Sequence, residues 1–189
     1  MRLAVNGKTE TQKLTILKDQ EIKTTDADLV ASTQAQVRVR ENLNATVDMV
    51  NKLEVMRKQI IDQQQANADK SDVRAALAEL DQKMLAVELQ LISRSDMNSD
   101  DKYYVEPFKI YMSLIWLNGV IGSGAGDVAG GADFPPTESA LGWLGDIDKD
   151  LEAAKAAYKK LIEGDLDEFN KRMSGKIPAI TETVRPVVP

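Results

Sequence analysis

The sequence predicts a mainly α fold, an antiparallel four-helix bundle with a short fifth helix and an N-terminal β-hairpin, and three observations lead there. Apolar residues recur at helical spacing in four segments between residues 26 and 161. Glycine and proline gather between those segments and are sparse within them. Only the first residues alternate in the manner of strands, around an Asn6-Gly7 pair.

The hairpin comes first. Leu3 and Val5, then Leu14 and Ile16, flank Asn6-Gly7, a dipeptide suited to the two positive φ angles of a type I′ turn. An isolated hairpin is marginal in water, so its edge is expected to pack on the bundle or to pair with a second copy of the chain. Helix then takes over at Thr25-Asp26, with Asp28 in its first turn and Leu29, Val37, Leu43, Val47, Val50, Leu53 and Ile60 as its apolar stripe. This helix should run close to 40 residues, roughly eleven turns, until the polar run Gln63 to Asp69 ends or loosens it.

Val73, Leu77, Leu80, Met84, Val87 and Leu91 step by four and three, the seam of an antiparallel bundle. A third helix is expected from Pro107, carrying Phe108, Tyr111, Leu114, Ile115, Leu117 and Ile121; its wide apolar surface suggests a central position. The stretch GSGAGDVAGGADFPP, Gly122 to Pro136, holds five of the eleven glycines and cannot continue a helix. After a Thr137 cap, Leu141, Leu144, Leu151, Ala154, Tyr158 and Leu161 mark a fourth helix ending at Gly164. DLDEFNKRMSG reads as a short fifth helix with a box-like Asp165 and Glu168, and the proline-bearing tail reads as extended.

Composition narrows the chemistry. The 189 residues contain no cysteine and no histidine, which removes disulfides, thiol nucleophiles, the usual zinc ligand sets and every His-dependent triad. A net charge of −6 offers no basic face for nucleic acid or an anionic membrane. No segment approaches the continuous apolar length of a membrane span, so no membrane insertion is expected, and the first residues do not read as a secretion signal.

The remaining motifs each have a plainer reading beside the chemical one. Asp96, Asn98 and Asp100 stand at alternate positions like calcium ligands, but Asp101 replaces the required glycine and Pro107 the bidentate glutamate. Asn6 to Thr9 looks like the end of a phosphate loop and lacks its earlier glycine; the Gly122 loop follows a helix and fails the dinucleotide spacing. Asp146 and Asp150 lie one turn apart among lysines, a solvated face before an acid/base pair. Asn44 opens a glycosylation sequon inside a helix. Trp116 and Trp143, in apolar stripes, read first as core; with Tyr103 and Tyr104 they form the alternative, a sugar-stacking platform. No catalytic, cofactor-binding or metal-ligating residue is assigned, and no cofactor is implied.

The hairpin RLAVNGKTETQKLTILKD, the linker QEIKTTDADL and the ending LIEGDLDEFNKRMSGKIPAI together resemble the C-terminal region of large BNR-repeat, sortilin-like proteins described as glycosyl hydrolases. In that family β-propellers and a small β-sandwich-like segment precede a helical module. The resemblance runs from Arg2 to about Ile180, although Gln20-Glu21-Ile22 replaces the family's Asp-Pro-Arg and the Gly122 loop is longer. It implies residues 1–22 as a strand remnant of the preceding domain with its linker, 23–180 as the bundle and 181–189 as an extended tail. It further implies a non-catalytic module of an extracytoplasmic protein, serving domain packing or partner interaction, with propeller and sandwich domains upstream as partners and a homodimer through the hairpin as a second possibility. A carbohydrate-binding accessory module is the alternative function, and any glycosidic carboxylate pair would lie upstream.

Overall fold

The computed structural model describes residues 1–15, 17–18, 20–93, 107–123 and 134–183. The chain is mainly helical, with a two-stranded N-terminal hairpin, as the periodicities predict. Strands β1 (Arg2–Val5) and β2 (Lys8–Thr11) precede helices α1 (Asp26–Ala66), α2 (Ser71–Leu91), α3 (Ile110–Ser123) and α4 (Glu138–Lys160), then a π-helical segment (Leu161–Leu166) and α5 (Asp167–Met173).

The hairpin turns on Asn6 and Gly7, both at positive φ, and pairs Leu3 with Glu10 and Val5 with Lys8. In that register partner numbers sum to 13, so Leu14 falls beyond the ladder and cannot face Leu3 or Val5. Every strand residue is exposed and neither strand touches a helix, so the expected packing of the hairpin on the bundle does not occur.

α1 starts at a reciprocal cap in which the Asp28 N–H donates to Thr25 Oγ1 (3.1 Å) and the Thr25 N–H to Asp28 Oδ2 (3.3 Å). It spans 41 residues, roughly 60 Å, and its seam is Ser32, Ala35, Val39, Thr46, Met49, Leu53, Met56 and Ile60. With half-buried Asn42 the steps alternate three and four without a break, a heptad pattern that keeps one stripe on its neighbours. Val37 and Val50 are only half-buried and Val47 is exposed, so the stripe read from hydrophobicity alone was rotated. Polar Ser32, Asn42 and Thr46 occupy seam positions and hide the register. Thr46 is accommodated because its hydroxyl donates to the Asn42 carbonyl (2.8 Å).

Asn67 caps α1, and the turn to α2 is short enough to force the two helices antiparallel. Arg57 ties them, donating from Nε to Asp81 (2.8 Å) and from a terminal nitrogen to buried Glu88. Burial raises the Glu88 carboxyl above its ordinary range, nearby Glu54 adds to the rise, and Arg57 opposes both. α2 buries Val73, Leu77, Leu80, Met84, Val87 and Leu91, the full set its spacing predicts.

α3 begins at Ile110, three residues after the expected Pro107, and buries Ile110, Leu114, Leu117 and Ile121. Its start lies beside Leu89 and Gln90 of α2, while its end, Gly122, approaches Gln36 of α1. α2 and α3 therefore run in the same direction, one after the other, along α1. α4 returns parallel to α1: Asp148 accepts from Asn42 (2.5 Å) and pairs with Arg38, and further along Tyr158 reaches the group that also faces Lys52. The four main helices thus form three columns of similar length, with α2 and α3 sharing one. One core cluster, drawn from all of these helices, lies between the columns.

α4 opens on the expected Thr137 cap, whose Oγ1 accepts from the Ala140 N–H (3.2 Å). It buries Ala140, Leu144, Ile147, Leu151 and Ala154, and the π segment after it buries Leu161, while Leu141 is 44% exposed. No break occurs at Gly164 and no side-chain cap forms at Asp165. The helix instead widens into the π segment, which inserts one residue so that its own Leu166, then Phe169 and Met173 of α5, stay on the core where strict α spacing would have placed Asp165. Asp165 faces outward and accepts from Lys83 of α2 (2.7 Å). Gly175, at φ +79°, ends α5 in the left-handed conformation that closes many helices. Residues 176–183 then cross back over the bundle as a strap that buries Ile177 and Ile180.

Candidate functional site

The outward side of the α3–α4 pair departs most from an ordinary surface. α3 contains no Asp, Glu, Lys or Arg in a chain that is 29% charged. Its seam steps send Leu114 and Leu117 inward, so the intervening Ile115 and Trp116, and then Val120, must face out. Trp116 is 53% exposed and Trp143 37%, which overturns the reading of both as core. Helical phase decides it: each indole sits one residue off a fully buried leucine, Leu117 or Leu144, in a column too narrow to bury both neighbours.

Trp116 is held by stacking on Phe108, centroids 5.9 Å apart at 21°. Phe108 also lines a groove of about 460 Å³ between the end of α2, the start of α3 and the middle of α4. Leu89, Ile110 and Ile147 form its apolar floor, Trp143 one wall, and Lys109, Ser113, Asp146 and Asp150 its polar edge. The volume lies in the range of small-ligand sites. Asp146 is ion-paired with Lys149 (2.8 Å), and that carboxylate holds the ammonium above its ordinary value. The two aspartates behave as the solvated face their spacing suggested, while Asp148 between them points at α1. An indole face beside carboxylate acceptors suits the apolar face and hydroxyls of a sugar, or a ligand cation.

The structure brings Trp143 and Trp116 to one side of the molecule, linked through Phe108, which was expected just inside the start of the third helix and instead precedes it. Tyr103 and Tyr104, the other platform candidates, lie outside the described residues, as do Asp96, Asn98 and Asp100. Among the described residues no group of three or more carboxylates is gathered as a metal site, and no helix is long and apolar enough to cross a membrane. Searches of protein-family models, curated proteins and solved structures returned no match to the chain, so its function is argued from this geometry.

Proposed function

We propose that the chain is a non-catalytic helical docking module whose contact surface is the outer side of α3 and the facing part of α4. The observation that carries this reading is the charge-free α3 with Ile115, Trp116 and Val120 facing out. Apolar side chains grouped on one surface of an otherwise charged protein are the ordinary signature of an interaction site. Resemblance to BNR-repeat, sortilin-like proteins adds that the partner is a propeller or sandwich-like domain of the same extracytoplasmic polypeptide, with the exposed hairpin belonging to that neighbour. Hydrogen exchange tests it. Residues 110–123 should exchange more slowly in the assembly isolated from its source than in the chain alone, and equal rates would sink the docking role.

A second reading is favoured by the groove: a carbohydrate-binding accessory module in which Trp143 and Phe108 stack a sugar ring and Asp146 and Asp150 accept its hydroxyls. Binding on a glycan array that disappears in Trp143→Ala supports this reading. An array without signal removes it.

A further inference from the structure

The strap is held in a way that an extended peptide would be held. Asn170 of α5 accepts the Ile180 N–H on Oδ1 and donates from Nδ2 to the Ile180 carbonyl, both at 2.9 Å. Gln59 of α1 treats Thr181 in the same fashion, accepting its N–H on Oε1 (3.1 Å) and donating from Nε2 to its carbonyl (2.7 Å). Two amide side chains thus reproduce the paired bonds that a neighbouring strand would supply. Ile177 and Ile180, three residues apart, are 9% and 2% exposed, while Pro178 and Ala179 between them face solvent.

Charge sets the direction of the peptide. At its start Lys176 donates to Asp72 of α2 (2.9 Å); at its end Glu182 accepts from the Tyr158 hydroxyl (2.5 Å) and lies 3.9 Å from Lys52. A reversed peptide would set like charges against each other at both ends. All these bonds run from the strap to helices, and the strap leaves α5 through Ser174 and the left-handed Gly175, with the Lys176 and Ile177 N–H groups still donating to the Met173 carbonyl.

We propose that this groove is a directional peptide-recognition site and that its partner in trans is a second copy of the chain, which inserts its own Ile177–Glu182 strap. The Lys176 and Ile177 N–H groups donate to the Met173 carbonyl of the strap's own helix (3.0 and 3.3 Å), but none of the side-chain bonds to Ile180, Thr181 and Glu182 requires the strap to come from the same polypeptide, and the chain's own segment is the sequence that meets both apolar sites and both charges. Within one copy the groove is occupied by its own strap, and exchange between copies preserves the side-chain bonds to Ile180, Thr181 and Glu182. Covalent attachment gives the intramolecular arrangement a high effective concentration, so exchange shows when one copy's strap is disabled.

Two full-length variants test this. Ile180→Asp disables the strap and leaves the groove intact; Gln59→Ala combined with Asn170→Ala disables the groove and leaves the strap intact. Each alone should sediment at one-chain mass, and their equimolar mixture should yield a two-chain species. Adding Lys52→Glu to the groove donor should weaken that species by about tenfold or more, and Glu182→Lys in the strap donor should restore it. Two folded variants that remain one-chain in the mixture would overturn the proposal, as would a complex indifferent to the charge swap. If Ile180→Asp does not melt cooperatively, Thr181→Pro, which removes the N–H held by Gln59 and the hydroxyl bonded to the Thr183 carbonyl but keeps Ile180, serves as the groove donor and the same outcomes decide.

Discussion

The two ends of this chain are opposites. The N-terminal hairpin has regular secondary structure, a complete ladder and a turn whose residues suit it, yet every residue of both strands is exposed. The C-terminal strap has no helix or strand after Gly175, yet it contributes two buried isoleucines to the core and is bonded to α1, α2, α4 and α5. Regularity and integration are therefore separate properties. A hairpin satisfies its own backbone, so it forms without a neighbour; a strap leaves its backbone groups to others, so it is ordered only where side chains such as Asn170 and Gln59 wait for them.

Removing the deepest strap side chain should have the largest effect. Ile180→Ala is expected to cost about 3 kcal/mol, read as a lowered denaturation midpoint with an unchanged slope, because a fully buried isoleucine leaves a cavity among α1 and α5. A loss well under ~1 kcal/mol would show the strap to be only laid on the surface. Next comes Asn170→Ala, expected to cost about 1–3 kcal/mol, since it strands both backbone groups of Ile180 at once. Thermal melting of that variant beside Asn51→Ala, at an exposed α1 position, gives the contrast; equal midpoints would mean the paired bonds contribute nothing.

A third experiment asks whether burial inside the bundle acts on charge as it does on the strap's apolar groups. Glu88 has a folded pKa raised above its unfolded one, so between those values the folded chain holds the extra proton and stability falls as pH rises. Acidification from neutrality into the carboxylate range should therefore stabilise the wild type through this group, and Glu88→Gln should flatten that slope. An identical pH profile in the variant would refute the assignment. The smallest effect is expected at the other end of the comparison. Deleting residues 1–19 should leave the stability of the bundle within about 0.5 kcal/mol of the full chain. The strands touch no helix, and among the described residues Lys18 bonds to the nearby Thr24 carbonyl and Asp26. Loss of cooperative melting would restore the hairpin to the core.

Local chemistry was legible wherever a few neighbouring residues decide the outcome. Asn6-Gly7 specifies its turn, Thr25 with Asp28 and Thr137 specify their caps, and α2 carries a seam of Val, Leu and Met that reads directly as buried. Even the hairpin's true register follows from counting outward from the turn. Elsewhere the pattern misled for identifiable reasons. α1 places Ser32, Asn42 and Thr46 in its seam, so hydrophobicity pointed to Val37 and Val47. After α4 the helical path continues through Gly164 as a π segment, because Leu166, Phe169 and Met173 gain more by reaching the core than one glycine costs in a helix.

What the sequence determined by itself was the class of fold, the capped starts of α1 and α4, the turn of the hairpin, and the absence of cysteine and histidine chemistry. What only the tertiary structure decided was phase and partnership. Three columns, with α2 and α3 sharing one, leave room to bury Leu114, Leu117 and Leu144 but not the adjoining Trp116 and Trp143. The strap's order depends on amides that lie 10 and 122 residues away along the chain. Burial belongs to the space between elements and cannot be read from one element alone, because the same apolar residue is core or surface according to which neighbour reaches it first.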